Sequence, residues 1–331
     1  TEIDLQVLNE DIARRKPGRK GLSMRAESDE CEILSGVHEG KATGWPILLL
    51  TWNSNAKSKD YSFLPDHPRP GHADLPEMIR SDGAADLRGG GSQSARLTYG
   101  LVTAASQLRG LLNQSGWRVD AHLHSVGDLH SKPLYLLDRN TELPEDSTMA
   151  RLNCRDEQAA ESFSNFIEEI RMDQDSIGSS VECIIEGLPI GVGEPWFDGL
   201  EPALARAFMA IPAARGVSFG RGFSVVKMTG SEHNDPWTGT RDSPKLSGEK
   251  PDGALAGLST GSNLIANIAF KPPSSIAKEQ TTLNLATNEQ ETLQIKGRHD
   301  PVLAPRAVAV AEAMARIVIC DLALRGGFIE V

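Results

Sequence analysis

The sequence predicts an α+β fold made of layers, with mostly antiparallel sheets. Strand patterns occur in both halves of the 331-residue chain, and long helical patterns lie between them. The two patterns do not alternate in the regular manner that produces a parallel sheet. The length allows one large domain or two ordinary ones. The apolar share of 39% is enough for a substantial core.

The first 91 residues predict a helix, a strand and a long loop. Residues 1–18 carry apolar residues at near-helical spacing, with Thr1 placed to cap the helix and Pro17 to end it. WPILLLTW, residues 45–52, predicts a buried strand. Residues 61–91 are rich in Pro, Gly, Asp and His with little periodicity, which predicts a long irregular loop of a kind that is usually functional or mobile.

The rest of the chain mixes helices with strands. Helices are predicted over 94–116, 157–172, 198–211 (capped by Asp198) and 305–327, and strands over 117–127, 179–191, 222–230 and 263–272. Two segments, GKATGWPILLL and GLSTGSNLIANIAF, both pass from a glycine-rich turn into an apolar strand. This similarity predicts an internal pseudo-duplication.

Charge and cysteine usage exclude several classes of protein. The net charge of −11 argues against a nucleic-acid or anionic-membrane partner. No stretch approaches the roughly 20 apolar residues that cross a bilayer, and no signal peptide is visible, so a cytoplasmic location is expected. The four cysteines form no CxxC pair and HExxH is absent, so neither a disulfide framework nor a metal site is predicted.

Four loops combine arginine with other groups that bind anions or move protons. Walker A, GxGxxG and GxSxG motifs are absent. The four loops are ARRKPGRKGLSMR with Arg14, Arg15, Lys16, Arg19, Lys20 and Arg25; RPGHAD with Arg69, His72 and Asp74; LRGGGSQSAR with Arg88, Ser94 and Arg96; and KGRHDP with Lys296, Arg298, His299 and Asp300. Arginine binds phosphate and carboxylate, and histidine transfers protons near neutral pH. The loops predict a small, multiply anionic substrate, although the first cluster could equally be a solvated charged turn.

These loops carry a resemblance to a known family. RRKPG, ILSGVHEGKATGWPILLL, RPGHADL, DLRGGGSQSAR, DQDSIGSS, GLSTG, KPPSSI and KGRHDPVLAPRAVAVAEAM resemble, in the same order, the motifs of the chorismate synthases. The resemblance runs over nearly the whole chain. It implies a single domain over 1–331 with the family fold, a β-α-β sandwich whose helices lie between antiparallel sheets.

The resemblance also implies an activity. The family are lyases that convert 5-enolpyruvylshikimate 3-phosphate to chorismate and phosphate by a 1,4-anti elimination, the last shared step toward the aromatic amino acids in the shikimate pathway. Reduced FMN is required although nothing is oxidised overall. Some members reduce FMN with NADPH themselves and others need an outside reductant, and the sequence leaves this open. A homotetramer without nucleic-acid or membrane partners is implied.

Residues matching the family's functional positions fall into three groups. The catalytic group is His72, Asp300 and Ser94; the substrate-binding group is Arg15, Arg69, Arg96 and Arg298; and the cofactor-binding group is Ser92, Gln93, Ser94, Ala213, Ala256, Lys271, Pro272, Pro273, Ser274, Ser275 and Arg298. The resemblance assigns His72 to keeping the flavin in its reactive protonation state and Asp300 to proton relay.

Three departures from the family pattern leave a second hypothesis open. The match begins after the family's first strand, whose Gly-Glu-Ser-His-Gly carries a second catalytic histidine. Ser92 and Gln93 replace Arg-Ser, and Leu97 replaces Glu. Ala256 stands before Gly257 in place of a second glycine. The alternative is a non-catalytic or impaired relative that binds FMN or another anion, or acts as an assembly partner.

Overall fold

A five-stranded antiparallel sheet forms the centre of the fold in the computed structural model, which describes residues 2–16, 22, 30–52, 61–247, 252–295, 297 and 299–330. Its strands lie side by side in the order Leu129–His130, Arg118–Val126, Ser179–Glu186, Leu264–Phe270 and Ala214–Phe219. The three middle strands read VDAHLHSV, SSVECIIE and LIANIAF, in which β-branched and other apolar residues recur. Five two-stranded ribbons complete the strands of the described residues.

The helices and strands have the following bounds. The α-helices are α1 (Leu5–Arg15), α2 (Asp74–Arg80), α3 (Thr98–Ser106), α4 (Leu108–Gln114), α5 (Thr148–Leu152), α6 (Glu157–Met172), α7 (Leu200–Met209), α8 (Gly230–His233) and α9 (Ala304–Arg325). The strands are β1 (Glu32–Ser35), β2 (Val37–His38), β3 (Lys41–Ala42), β4 (Leu48–Leu50), β5 (Arg118–Val126), β6 (Leu129–His130), β7 (Ser179–Glu186), β8 (Ala214–Phe219), β9 (Trp237–Thr240), β10 (Ser243–Leu246), β11 (Ala254–Leu255), β12 (Leu258–Ser259), β13 (Leu264–Phe270), β14 (Gln280–Asn284) and β15 (Glu289–Leu293). Short 3₁₀ helices cover Arg88–Gln93, Ala95–Leu97, Leu134–Leu136, Trp196–Asp198 and Gly222–Lys227.

Helix α9 lies in the core between the central sheet and the other helices. It contacts β5 and β7 as well as α1, α3 and α7. Most of its side chains are buried, including those of Val308, Ala311 and Ala315. A helix that is apolar on nearly all sides is expected in the interior. The facing surface of the sheet offers small register partners, Ala121 opposite Cys183, so the helix can approach closely.

The sequence predicted the central elements well because their patterns are long and regular. The α+β class with antiparallel strands is confirmed, as are the helix over 157–172, the closing helix and the strands around 118–126, 179–186 and 264–270. The helix predicted over 94–116 is divided into a 3₁₀ turn, α3 and α4. None of the helices in the described part of the chain is both long and apolar enough to cross a membrane.

Three local predictions were wrong. The residues predicted as a buried strand form only the three-residue β4 in a ribbon, and Trp45 beside it is 77% exposed. Residues 222–227 form a 3₁₀ helix rather than a strand. Asp198 does not cap α7, because Gly199 occupies the N-cap without a side-chain hydrogen bond.

The loop predicted over 61–91 is irregular only in part, because it also contains α2. The cap of α1 is Asp4, and the candidate cap Thr1 lies outside the described residues.

Candidate functional site

The turn from Arg69 to Asp74 is held together by one buried ion pair. Arg69 donates from Nε and Nη2 to the two carboxylate oxygens of Asp74, both at 2.7 Å, and its backbone N–H donates to the same carboxylate at 3.0 Å. The Nδ1 atom of His72 lies 2.7 Å from Asp74 Oδ1. Burial alone would raise the pKa of Asp74, but the hydrogen bonds from Arg69 and His72 outweigh it and hold the pKa below its ordinary value. Asp74 is therefore an ionised anchor.

This ionised anchor fixes the tautomer of His72. A carboxylate can only accept hydrogen bonds, so the proton between the two groups sits on Nδ1 of His72. Nε2 is then the nitrogen that can exchange a proton with a ligand. The turn is also supported from outside, because Leu285 donates its backbone N–H to Asp66 and the Thr282 hydroxyl donates to the carbonyl of Pro68. Ribbon β14–β15 therefore braces the segment that carries His72.

The same turn docks onto the segment Lys271–Ser275. The Ser274 hydroxyl donates to the carbonyl of Gly71 at 2.7 Å, and Lys271 Nζ donates to that carbonyl and to Ser274. Gly71 has a φ of +68°, and a Cβ there would lie 3.2 Å from Ser274 Oγ. Lys271 also donates its backbone N–H to Ala213 at 3.0 Å. These contacts bring His72, Lys271, Ser274 and Ala213 together.

Two cations lie close together here. Burial lowers the pKa of Lys271, and the positive charge of Arg215 lowers it further. Arg215 follows directly after Ala213 and Ala214 at the start of β8. Like charges repel, so the pair is suited to a doubly charged anion such as a phosphate, which stabilises both.

Asp300 joins this group through backbone contacts. The Ser176 hydroxyl donates to the carbonyl of Pro273 at 2.8 Å, and the next residue, Ile177, donates its N–H to Pro301 at 2.9 Å. One oxygen of Asp300 accepts from Arg306 Nη1 at 3.0 Å. Its other oxygen, Oδ1, is buried and accepts no hydrogen bond from the described residues.

Arg306 connects Asp300 to the glycine loop by way of α1. Its Nε donates to the backbone carbonyl of Arg15 at 3.3 Å. Arg15 in turn donates to the carbonyls of Ala95 and Arg96 and lies over the ring of Tyr99, 5.5 Å from its centre. Contacts therefore run without a break from His72 through Lys271–Ser275 and Asp300 to the loop of Ser94 and Arg96.

The glycine loop closes this arrangement on its other side. A cavity of about 300 Å³ is lined by His72 and Asp74 from one loop and by Gly91, Ser92 and Gln93 from the other. The loop forms a 3₁₀ turn, and Ser94 caps the next turn by accepting from the N–H of Arg96 at 3.2 Å. The loop therefore faces His72 across a cavity.

Some predicted site residues have other contacts. The turn of Ala256 lies against Glu194 and Gly199, and among the described contacts none joins it to Lys271–Ser275. Arg88 pairs with Asp86 in solvent, and His299 contacts the carbonyl of Ile295 at 3.0 Å. The remaining candidates, Lys296, Arg298, Arg19, Lys20 and Arg25, lie outside the described residues.

The basic cluster at the end of α1 is largely occupied within the protein. Arg14 donates to both oxygens of Glu312 at 2.6 and 2.7 Å. Arg316 donates to Glu312 at 2.9 Å and also pairs with Asp11. Arg14 and its partners therefore form an ionic network between α1 and α9, rather than a solvated charged turn.

Sequence reasoning missed Arg215 and Arg306. Arg306 lies in a stretch that reads only as helix, and no local pattern indicates that its guanidinium meets Asp300. Arg215 follows two alanines in AARGV, which offers no signal beyond its charge. The contacts of both arginines follow only from the tertiary structure, in which the ends of β7, β8 and α9 meet.

Comparisons with known proteins identify the family to which this arrangement belongs. A family described as chorismate synthase matches residues 1–324. Proteins named chorismate synthase from Methanosarcina acetivorans and Methanosarcina barkeri are 42% and 43% identical over 331 residues, covering 100% of this chain and 88% of each relative. A solved structure titled crystal structure of chorismate synthase superposes with a TM-score of 0.72 at 24% identity, covering 98% of this chain and 84% of the other.

Proposed function

The chain belongs to the chorismate synthase family, and we propose that it catalyses the family's reaction with reduced FMN at the loop cluster around His72. The reaction removes the C6 hydrogen and the C3 phosphate of 5-enolpyruvylshikimate 3-phosphate to give chorismate and phosphate. As a carbon–oxygen lyase of the shikimate pathway, the protein would act on a substrate that carries a phosphate and carboxylates. Such a substrate needs cations for binding and a group that moves protons.

One observation carries this proposal: the unbroken set of contacts that joins His72, Lys271–Ser275 and Asp300. His72 is 199 positions from Lys271 and 228 positions from Asp300 in the sequence, yet Ser274 binds the turn of His72, and Ser176 and Ile177 connect Pro273 to Pro301. A purely structural role would not explain why a histidine with a fixed tautomer, a carboxylate and two cations lie together in these loops.

The residues present fit reduced FMN. Lys271 and Arg215 offer the charge that a flavin phosphate requires, and Gly91 lines the cavity with backbone that carries no side chain. Asp300 Oδ1, buried without a partner among the described residues, is an acceptor for a donor on a ligand. Bound among these residues, reduced flavin would supply a transiently donated electron that eases the loss of phosphate, as the family resemblance implies.

The chain's own groups then have distinct tasks. Lys271 and Arg215 hold an anionic group and reduce its repulsion from the rest of the site. His72, whose Nδ1 proton is committed to Asp74, holds or transfers a proton at Nε2. Asp300, held at Oδ2 by Arg306, accepts a proton at Oδ1. Ser94 and Arg96 extend the site along the glycine loop. Arg69 keeps the turn in place by its pairing with Asp74.

The test of this function is an anaerobic assay of the full-length protein with reduced FMN and 5-enolpyruvylshikimate 3-phosphate. We expect chorismate and phosphate in equal amounts, with no net consumption of reduced flavin. A second arm omits substrate and titrates FMN by its fluorescence. Flavin binding without chorismate at any protein concentration would support the non-catalytic alternative and contradict the enzyme proposal.

The family resemblance extends the proposal to assembly, location and reductant. We propose a homotetramer in the cytoplasm, which sedimentation of the purified protein and fractionation of its source cells would test. For the reductant, oxidised FMN with NADPH in place of reduced FMN separates the two cases. Chorismate formation under these conditions would assign a flavin reductase activity to the protein, and no formation would assign the reduction to an outside donor.

A further inference from the structure

A polar group lies in the middle of the central sheet, away from every contact used above. His122 in β5 and Glu182 in β7 are direct register partners, and Asn267 in β13 is the partner of Glu182. His122 is completely buried and Glu182 is 4% exposed. Three strands therefore place polar side chains side by side on the face of the sheet that does not carry α9.

His122 has no hydrogen-bond partner among the described residues. Neither Nδ1 nor Nε2 finds one. A buried imidazole without partners is destabilising, so its presence calls for a ligand that the protein groups do not supply. Because neither ring nitrogen is engaged by the described residues, the imidazole offers an unused lone pair.

His124 is prepared to donate a lone pair as well. Its Nδ1 lies 3.2 Å from the hydroxyl oxygen of Ser131, whose own proton goes to the carbonyl of Lys132. Ser131 can therefore only accept from His124, which places the proton on Nδ1 and leaves Nε2 as a lone pair. A histidine held by its second nitrogen in this way is typical of metal ligands.

Glu182 completes the set. One carboxylate oxygen accepts from the backbone N–H of Leu134, and Asn267 also donates to the carboxylate. The Nε2 atom of His122 lies 3.9 Å from Glu182 Oε1. Ligand atoms of His122, His124 and Glu182 all lie within 4.8 Å of one another. Ligands of a tetrahedral zinc ion with bonds of about 2.0–2.1 Å lie roughly 3.3 Å apart, so small side-chain rotations suffice.

We propose that His122, His124 and Glu182 bind a divalent transition-metal ion, with zinc as the best match. Two imidazoles and one carboxylate form a donor set that binds zinc in preference to calcium or magnesium. The ion would connect β5 to β7 and hold the β5–β6 hairpin in place. The proposal does not depend on the function assigned to the His72 site, because no residue is shared between the two.

Sequence patterns do not indicate this site, and the proposal departs from the sequence-based expectation of no metal. His122 and His124 are two residues apart in a strand, but Glu182 is contributed from a distant strand through sheet register. A slip of register by one residue would move Glu182 to the other face. The metal proposal therefore depends on the β5–β7 pairing of Ala121 with Cys183.

The test measures binding of cobalt and zinc to the full chain after dialysis against a chelator. We expect one Co²⁺ per chain, with the visible absorption of a four- or five-coordinate ion, displaced by one equivalent of Zn²⁺. Glu182→Gln and His124→Ala are each expected to raise the Kd at least tenfold, because each removes a ligand. One equivalent of Zn²⁺ should raise the Tm of the unmodified chain but not that of Glu182→Gln.

The matched control is His130→Ala. His130 is exposed in the same hairpin, with its ring 5.8 Å from that of His124, and lies outside the proposed set. Its replacement should leave the Kd unchanged. Absence of stoichiometric binding, or binding that survives both ligand variants, or binding lost in His130→Ala would each overturn the proposal. If Glu182→Gln does not fold by circular dichroism, half-buried His124 provides the decisive variant.

Discussion

The Nδ1 atom of His72 lies 2.7 Å from Oδ1 of Asp74, the carboxylate that also holds Arg69. A histidine that a carboxylate of its own turn holds in one tautomer cannot serve as a mobile surface side chain. Asp74→Asn would remove the acceptor charge and leave Arg69 buried without its counter-ion. We expect a loss of about 3–5 kcal/mol in the free energy of unfolding, measured by urea denaturation.

Asp86→Asn provides the control for this change. Asp86 pairs with Arg88 in solvent, at 60% exposure for each side chain, and its replacement should leave the unfolding free energy unchanged. A similar loss in both variants would show that any acid-to-amide change in these loops is destabilising, and it would contradict the anchoring role of Asp74.

Gly71→Ala tests the docking of the His72 turn onto Ser274. The new Cβ would come within 3.2 Å of Ser274 Oγ and would also sit at a φ of +68°. The backbone strain should cost about 1–2 kcal/mol, and the displaced hydroxyl should weaken FMN binding at least tenfold in a fluorescence titration.

Gly83→Ala separates these two effects. Gly83 has a φ of +77°, and a Cβ added there would meet no heavy atom within 4 Å, so it carries the strain without the contact. We expect a comparable stability loss with normal FMN affinity. Equal FMN affinity in the two variants would mean that the docking contact does not position the site.

The network of Arg14, Glu312 and Arg316 predicts acid sensitivity. Burial would raise the pKa of Glu312, but the two arginines and the N–H of Ala121 lower it to about 2 from an ordinary 4.5. A carboxyl with a depressed folded pKa contributes stability above pH 4.5, and this contribution, about 3 kcal/mol, is lost as the pH falls from 4.5 toward 2.

Glu312→Gln should flatten that part of the pH profile. It should also lower the unfolding free energy at pH 7 by about 3–5 kcal/mol, because buried Arg316 and half-buried Arg14 lose the carboxylate that they share. Glu168→Gln, in an exposed pair with Arg171 on α6, should leave the acid limb of the profile as in the wild type. An unchanged acid limb in Glu312→Gln would refute the assignment.

Arg306→Met tests whether Arg306 positions Asp300. Its Nη1 lies 3.0 Å from Asp300 Oδ2, so we expect kcat to fall at least tenfold while KM changes little. Arg306→Lys should recover part of the rate, because one donor remains. Arg325→Met on the same helix removes exposed contacts to Asp198 and Asp321 and should leave kcat normal. A fall in kcat with a rise in KM, without rescue by lysine, would indicate a merely structural role.

The sequence indicated the core elements because periodicity determines them locally. Helix 157–172 has an apolar stripe at regular helical spacing, and β13 is an apolar run interrupted only by Asn267, with every second residue buried in the sheet. The prediction of a buried strand over residues 45–52 was wrong for the opposite reason. Trp45, Ile47 and Leu48 are apolar, yet they are exposed in and beside a short ribbon. An apolar run indicates that burial would be favourable, but whether another element covers the run depends on the tertiary structure.

The site could be predicted only in part. The turn of His72, the segment of Lys271 and Asp300 were named from motifs, but their convergence depends on contacts between positions far apart in the chain. That these segments lie together was expected only from the resemblance to the family. Arg215 and Arg306 and the buried His122–Glu182 pair have no local signal, since sheet register and helix packing produce them.

The central claim is that His72 acts at the site where chorismate forms. The most direct measurement compares anaerobic single-turnover chorismate formation with reduced FMN in His72→Ala and in His67→Ala. His67 lies in the same loop and pairs with Glu291 at 2.9 Å, so it controls for loss of an imidazole. We predict a rate about 10²–10⁴-fold lower for His72→Ala and a normal rate for His67→Ala; equal rates in the two variants would contradict the claim.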